Sequence, residues 1–375
     1  MPRTRVFELD ALRAIAIALV LLVHLPTFVN DATFASFIAY TNLVFPLSFF
    51  GLTLFFFVSG YALHYNTIRI NDLKGAREFL TRRAIRIYPL YWIAVVAFLV
   101  LGIGAWASRV WIITQVCGVQ GLLSPRVEEP VITLWFIGVI LLYYLIFALV
   151  VSSSSGSKQR FCLALLIPLL LFVMLRVAFN LVDFRFFVYY ALFFSGFLAS
   201  KYDVFDRDII KQIPPTVSVL LFTAMLGLIA GVSSLVVQTY PSLYAGLGDS
   251  STPLTISTAA AIAFGDILGL TFIYALFNIS RQILPSLGTT LRAAISGIAL
   301  SSYCVYLFHR PFFVLFESGL DAASFTALWE DVMLIMCGVP LLFLAGYAIQ
   351  KGWDTLLLET TIRPPRTRER MYPQQ

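Results

Sequence analysis

Residues Leu9 to Phe28 form an apolar stretch broken by Asp10, Arg13 and His24. A spanning helix needs roughly 20 mostly apolar residues, so this stretch is long enough to cross a bilayer. Similar runs recur along the whole chain, at Leu9–Phe28, Leu43–Tyr65, Pro89–Trp106, Thr133–Val151, Phe161–Leu181, Phe186–Ser200, Thr216–Val236, Thr258–Ser280, Gly297–Phe316 and Glu330–Lys351. In hydrocarbon every backbone N–H and C=O must be satisfied within the protein, which leaves only helices and closed barrels. The runs are continuous and lack the two-residue alternation of barrel strands. The expected fold is therefore an all-α membrane protein of about ten transmembrane helices. Composition agrees, with 59% hydrophobic and 12% charged residues, where a soluble domain carries about 25% charged.

Charge placement sets the expected orientation. With the N-terminus in the cytoplasm, the inner segments hold 20 Lys and Arg and the outer segments three, Arg109, Arg126 and Arg185. Positive charge collects on the cytoplasmic side of membrane proteins, so both termini are expected there. The same distribution accounts for the net charge of +6 without nucleic acid as a partner. Residues 1–355 read as one polytopic membrane domain and residues 356–375 as a basic cytoplasmic tail. The expected location is the plasma or inner membrane, as a multi-pass protein in contact with its lipids. The opening "MPRTR" before an apolar run is similar to a signal peptide, but Arg13 interrupts the run and no small-x-small site follows, so a retained first helix is expected. Cys117, Cys162, Cys304 and Cys337 form no CxxC pair and read as small core residues, with no metal or disulfide set. "RINDLKGAREFLTRRAIRIYP" (Arg69 to Pro89) is expected as a helical inner loop. "VWIITQVCGVQGLL" (Val110 to Leu123) is too short to span comfortably and is expected to be interfacial or re-entrant.

Ionisable residues inside spans are expensive and mark function by default. Arg13 and His24 are eleven residues apart. At 100° per residue that is three turns plus about 20°, which puts both on one helix face, roughly 16 Å apart along the axis. Arg13 then sits at the cytoplasmic edge and His24 toward the outer half. A structural alternative stands beside this: a snorkelling arginine paired with Asp10 three residues away, and a hydrogen-bonded core histidine. Arg82, Arg83 and Arg86 serve topology, and their guanidinium forks also suit phosphate. His309, in "SSYCVYLFHRPFF" (Ser301 to Phe313), falls in the outer half, where it can meet His24 or serve packing alone. Arg310 is expected to snorkel outward. Arg176 and Asp266 either pair across the bundle or leave Arg176 reaching the outer interface unaided. HExxH, Walker, GxSxG and EF-hand patterns are absent from the sequence.

Five segments, in order, resemble the acyltransferase-3 family of integral-membrane acyltransferases. "LDALRAIAIALVLLVH" looks like its first helix, with Arg13 and His24 as the Arg-x10-His pair. "FFGLTLFFFVSGYAL" (Phe49 to Leu63) is similar to its second-helix signature, with Ser59 and Gly60 in place. "FLTRRAIRIYPLYW" (Phe79 to Trp92) resembles its Arg-x-x-Arg segment through Arg83 and Arg86. "LWFIGVILLYYLIF" (Leu134 to Phe147) is similar to its fourth-helix pattern, and "SSYCVYLFHRPFF" looks like its late Ser-Tyr…His-x-Pro segment. One departure is the fourth helix, which lacks the acidic or amide residue that many members carry after Trp-Phe.

The resemblance implies transfer of an acyl group, often acetyl, from cytoplasmic acyl-CoA to a hydroxyl of an envelope glycan or its lipid-linked precursor. It also implies a donor substrate rather than a bound cofactor. Arg82, Arg83 and Arg86 would hold the CoA phosphates by charge-assisted bonds. Tyr88, Ser59, Trp135, Tyr303 and His309 complete the expected binding residues. His24, a base available in its neutral form, would take the acceptor's proton, with an acyl-histidine intermediate left open. Arg13 would hold the donor or order its entrance. The competing class is a transporter or flippase of lipid-linked glycans, which accounts equally well for ten spans and intramembrane charge but less naturally for the cytosolic arginine cluster.

Overall fold

A computed structural model describes residues 6–29, 44–65, 70, 72–104, 109–127, 131, 133–153, 158–207, 213–239, 249–322 and 326–362. They are helical nearly throughout. The helices are α1 (Phe7–His24), α2 (Val44–Tyr65), α3 (Leu73–Val100), α4 (Arg109–Cys117), α5 (Gln120–Leu123), α6 (Trp135–Ser153), α7 (Lys158–Phe179), α8 (Phe184–Lys201), α9 (Pro215–Thr239), α10 (Ile256–Ile283), α11 (Thr289–Ala322), α12 (Ala327–Met333) and α13 (Val339–Ile362). A π-turn at Leu334–Gly338 joins the last two. Among the described residues, six helices are long and apolar enough to cross a membrane, and three shorter apolar helices accompany them. The chain is an all-α, multi-pass membrane protein.

Helix α2 is central and packs on α1 and α8, while α11 lies against α1, α3 and α13. The α2–α8 contact is made by two glycines. A Cβ on Gly60 would fall 1.9 Å from the Phe193 carbonyl oxygen, and one on Gly196 would fall 2.1 Å from that of Phe57. Small residues let membrane helices approach backbone to backbone, where van der Waals packing replaces the hydrophobic drive that lipid cannot supply. Helix α8 is buried on almost every side, from Phe184 to Ser200, as an all-round apolar helix requires. The Tyr143 hydroxyl from α6 donates to the Phe186 carbonyl at 2.5 Å. Asp183 caps α8, accepting from the Arg185 backbone N–H at 2.9 Å.

Several expectations change. The arginine-rich segment is no separate loop: Asp72 caps α3 by accepting from the Gly75 N–H at 2.7 Å, and the helix runs unbroken through Pro89 to Val100. The third span therefore carries Arg82, Arg83 and Arg86 on its own leading turns. The Val110–Leu123 segment forms two short helices, and α5 packs on α6. Arg176 lies in the last turn of α7. It is buried and donates to the carbonyls of Val182 at 2.9 Å and Thr252 at 2.5 Å. Of the cysteines, Cys304 is buried, but Cys117 and Cys337 are exposed rather than core residues. Helix α13 runs to Ile362, and the residues after it lie outside the described residues.

Gly60→Ala and Gly196→Ala are each expected to lower stability by at least about 1–3 kcal/mol through overpacking. Gly227→Ala, where an added Cβ meets nothing within 4 Å, is expected to stay within about 1 kcal/mol of the parent. Thermal unfolding of the detergent-purified protein measures all three, and equal midpoints for Gly60→Ala and Gly227→Ala would contradict the close approach.

Candidate active site

Helix α1 is continuous from Phe7 to His24, so Arg13 and His24 share one rigid rod. Arg13 lines a cavity of about 190 Å³. Helix α2 adds Phe55, Ser59 and Ala62, and α3 adds Arg83, Arg86 and Ile87. The far wall comes from Phe136 and Tyr144 of α6, Ser302, Tyr303 and Tyr306 of α11, and Gln350 of α13. Arg83 and Arg86 are three residues apart and so neighbours on one helix face. The Arg83 guanidinium lies 5.0 Å from the Tyr144 ring centroid and 5.4 Å from that of Phe79. These cation–π contacts offset part of the cost of a partly buried cation. Asp10, beside Arg13, is buried and accepts from Ser296 Oγ at 3.4 Å.

A second cluster forms at the other end of α1. The rings of His24 and His309 stack with centroids 5.1 Å apart and planes inclined by 6°. His309 is fully buried. Its Nδ1 lies 2.9 Å from the Tyr306 carbonyl oxygen and 3.2 Å from that of Val305. A carbonyl only accepts, so Nδ1 is assigned the proton and Nε2 the lone pair. Arg310 turns inward instead of snorkelling. Its Nη2 stands 3.4 Å from His24 Nδ1, and its guanidinium lies 5.9 Å from the Phe28 ring centroid. Tyr306 touches both regions. It lines the cavity, its ring is 6.2 Å from that of His309, and its hydroxyl donates to the Thr133 carbonyl.

The expected site residues thus fall into three groups. Arg13, Ser59, Arg83, Arg86 and Tyr303 share the cavity. His24 and His309 form the stacked pair. Arg82, Tyr88 and Trp135 lie outside the cavity wall. Arg82 is exposed and 3.9 Å from Glu78. The Tyr88 hydroxyl donates to the Cys117 carbonyl at 2.7 Å. Trp135 packs against the Arg185 guanidinium at 4.2 Å and stacks on Tyr189. Tyr144, Phe136, Tyr306 and Gln350 are cavity residues that sequence reasoning passed over. Tyr306 had a signal, one turn before His309 in the same motif. Tyr144 and Phe136 had none, being aromatic residues in an apolar run. Among the described residues no group of three or more His, Cys, Asp or Glu side chains is placed to hold a metal.

A multi-pass helical protein with a cationic cavity and a histidine pair within its bundle is the class that fold and site define. Residues 6–351 match the family model described as an acyltransferase domain. The chain belongs to the acyltransferase-3 family. Comparison with curated proteins and with solved structures gives no significant match.

The Tyr303 hydroxyl donates to the Ile87 carbonyl at 2.9 Å, tying α11 to the arginine-bearing turn of α3. Tyr303→Phe is expected to cost about 0.5–1.5 kcal/mol, the net worth of one such bond. Thermal unfolding tests this, and an unchanged midpoint would remove the tie.

Proposed function

We propose that this protein is an integral-membrane O-acyltransferase. It moves an acyl group, acetyl in the simplest case, from cytoplasmic acyl-CoA to a hydroxyl of an envelope glycan or its lipid-linked precursor. One observation carries the reading: Arg13, Arg83 and Arg86 converge on one cavity, and His24 lies further along the helix that bears Arg13. The cavity takes the phosphate-bearing end of the donor, held by guanidinium groups through charge-assisted hydrogen bonds. Tyr303 and Ser59 complete its wall. The thioester reaches toward His24, against which His309 stacks. His24 accepts the proton of the acceptor hydroxyl as its oxygen attacks the thioester carbon. The tetrahedral intermediate collapses, the carbon–sulfur bond breaks, and the proton passes from His24 to the departing sulfur. Free CoA and an ester are the products.

This chemistry suits ten spans in the plasma or inner membrane, with both termini and the arginine turn of α3 facing the cytoplasm, where acyl-CoA is made. Residues 1–355 form the catalytic membrane domain and 356–375 a basic tail. Arg82 and Tyr88 border the donor's approach from α3. Trp135 acts on the acceptor side through the shape of the bundle.

His24→Ala is expected to reduce turnover of acetyl-CoA by about 10²–10⁴-fold, the usual worth of a general base. Arg83→Gln with Arg86→Gln is expected to raise the KM for acetyl-CoA at least roughly tenfold, since a hydrogen bond to a charged group is worth about 1.5–3 kcal/mol. The assay is release of free CoA thiol by protein in nanodiscs made with envelope lipid extract. Full turnover in His24→Ala removes the base. Unchanged donor KM in the arginine double variant removes the phosphate site. Glycolipid movement without CoA release would identify a flippase instead.

A further inference from the structure

Arg310 is a cation inside the bundle, among the described residues, that neither the fold nor the donor site uses. It sits inside α11, next to Pro311 and one residue after His309. Among the described residues no carboxylate lies within ion-pair distance of it, and its buried Nε–H has no hydrogen-bond partner. Its contacts are the Phe28 ring and His24 Nδ1. A partly buried cation in a bilayer without a counter-ion is costly. Such a group is stabilised when negative charge arrives beside it.

Its position says which charge. A guanidinium has five N–H donors and no acceptor, so the 3.4 Å approach is Arg310 donating to His24 Nδ1. Neutral His24 therefore carries its own proton on Nε2, and Arg310 covers the lone pair that would act as base. His309 offers no alternative. Its ring stacks face to face on His24, which turns its nitrogens away from an edge-on bond, and its free Nε2 is buried. The base is thus free to act only when Arg310 finds another acceptor. That acceptor must sit within one hydrogen bond of the reacting centre and gain negative charge as the reaction proceeds. The thioester carbonyl oxygen meets both conditions.

We propose that Arg310 is a catalytic residue, moving from His24 Nδ1 to the thioester carbonyl oxygen and stabilising the oxyanion of the tetrahedral intermediate. This rests on the acyl-transfer reading above. As the hydroxyl oxygen adds to the carbonyl carbon, the π pair moves onto the oxygen facing Arg310, and the hydroxyl proton goes to the uncovered Nδ1. On collapse the pair returns, the carbon–sulfur bond breaks, and the proton leaves with the sulfur. Arg310 then covers Nδ1 again. A single side chain in this way couples arrival of the donor to exposure of the base.

The test compares wild type, Arg310→Gln, Arg310→Lys and His24→Ala in the nanodisc assay with acetyl-CoA, each checked for monodispersity. Arg310→Gln is expected to lower kcat by about 10²–10³-fold, the range for loss of an oxyanion donor, with the KM for acetyl-CoA within about threefold of wild type. Arg310→Lys keeps the charge but loses the fork, and its kcat is expected to fall roughly tenfold. A kcat within twofold of wild type in Arg310→Gln overturns the proposal, as does a loss confined to KM. If the Gln variant does not fold, the Lys variant decides, and wild-type kcat there overturns it. Wild type that never consumes acetyl-CoA fails the acyl-transfer reading and this proposal together. Wild type active, His24→Ala inactive and Arg310→Gln active fails this proposal alone.

Discussion

Gly60 and Gly196 set the separation of the two helices at the centre of the bundle. With no Cβ on either, the α2 and α8 backbones touch, carbonyl oxygen against α-carbon. The consequences run outward from that contact. Ser59, beside Gly60, faces the cavity. Phe56, one turn earlier, is fully buried and stacks on Tyr189 of α8. Tyr189 in turn carries Trp135 at the start of α6. A wider α2–α8 gap would shift Ser59 in the cavity wall and break the Phe56–Tyr189 stack.

The bundle handles four of its arginines in different ways. Arg176 is consumed by structure, with two loop carbonyls as its partners. Arg185 is neutralised by Asp183 at 2.5 Å and covered by Trp135. Arg83 is held by aromatic rings but keeps a place in the cavity wall. Arg310 has an aromatic ring and an imidazole, and neither removes its charge. Ordered this way, the arginines pass from structural to chemically available, and the last two lie next to the cavity and the histidine pair.

Much of this was legible from sequence because hydrocarbon leaves the backbone few options. Apolar run length located the long helices, and the Arg13–His24 spacing carried straight into α1. Helix direction left open that His24 could meet His309, and their rings do stack. What stayed hidden depended on side chains choosing between equivalent solutions. Periodicity cannot tell whether Arg310 reaches toward water or inward, since both satisfy the same sequence. Arg82, Arg83 and Arg86 read alike in the chain, yet only two face the cavity, because α3 starts early and its helical phase sends Arg82 outward to Glu78. Trp135 and Tyr88 sit within motifs but spend their polar and aromatic surfaces on neighbouring helices.

The unbroken course of α1 also sorts possible donors. A molecule bound at Arg13 and reacting at His24 must bridge roughly 16 Å, set by a helix rise of 1.5 Å per residue. Small activated acyl compounds, such as acyl phosphates, cannot touch both ends at once. Under the proposed acyl transfer, discrimination among donors would follow from reach, with α1 as the measuring rod.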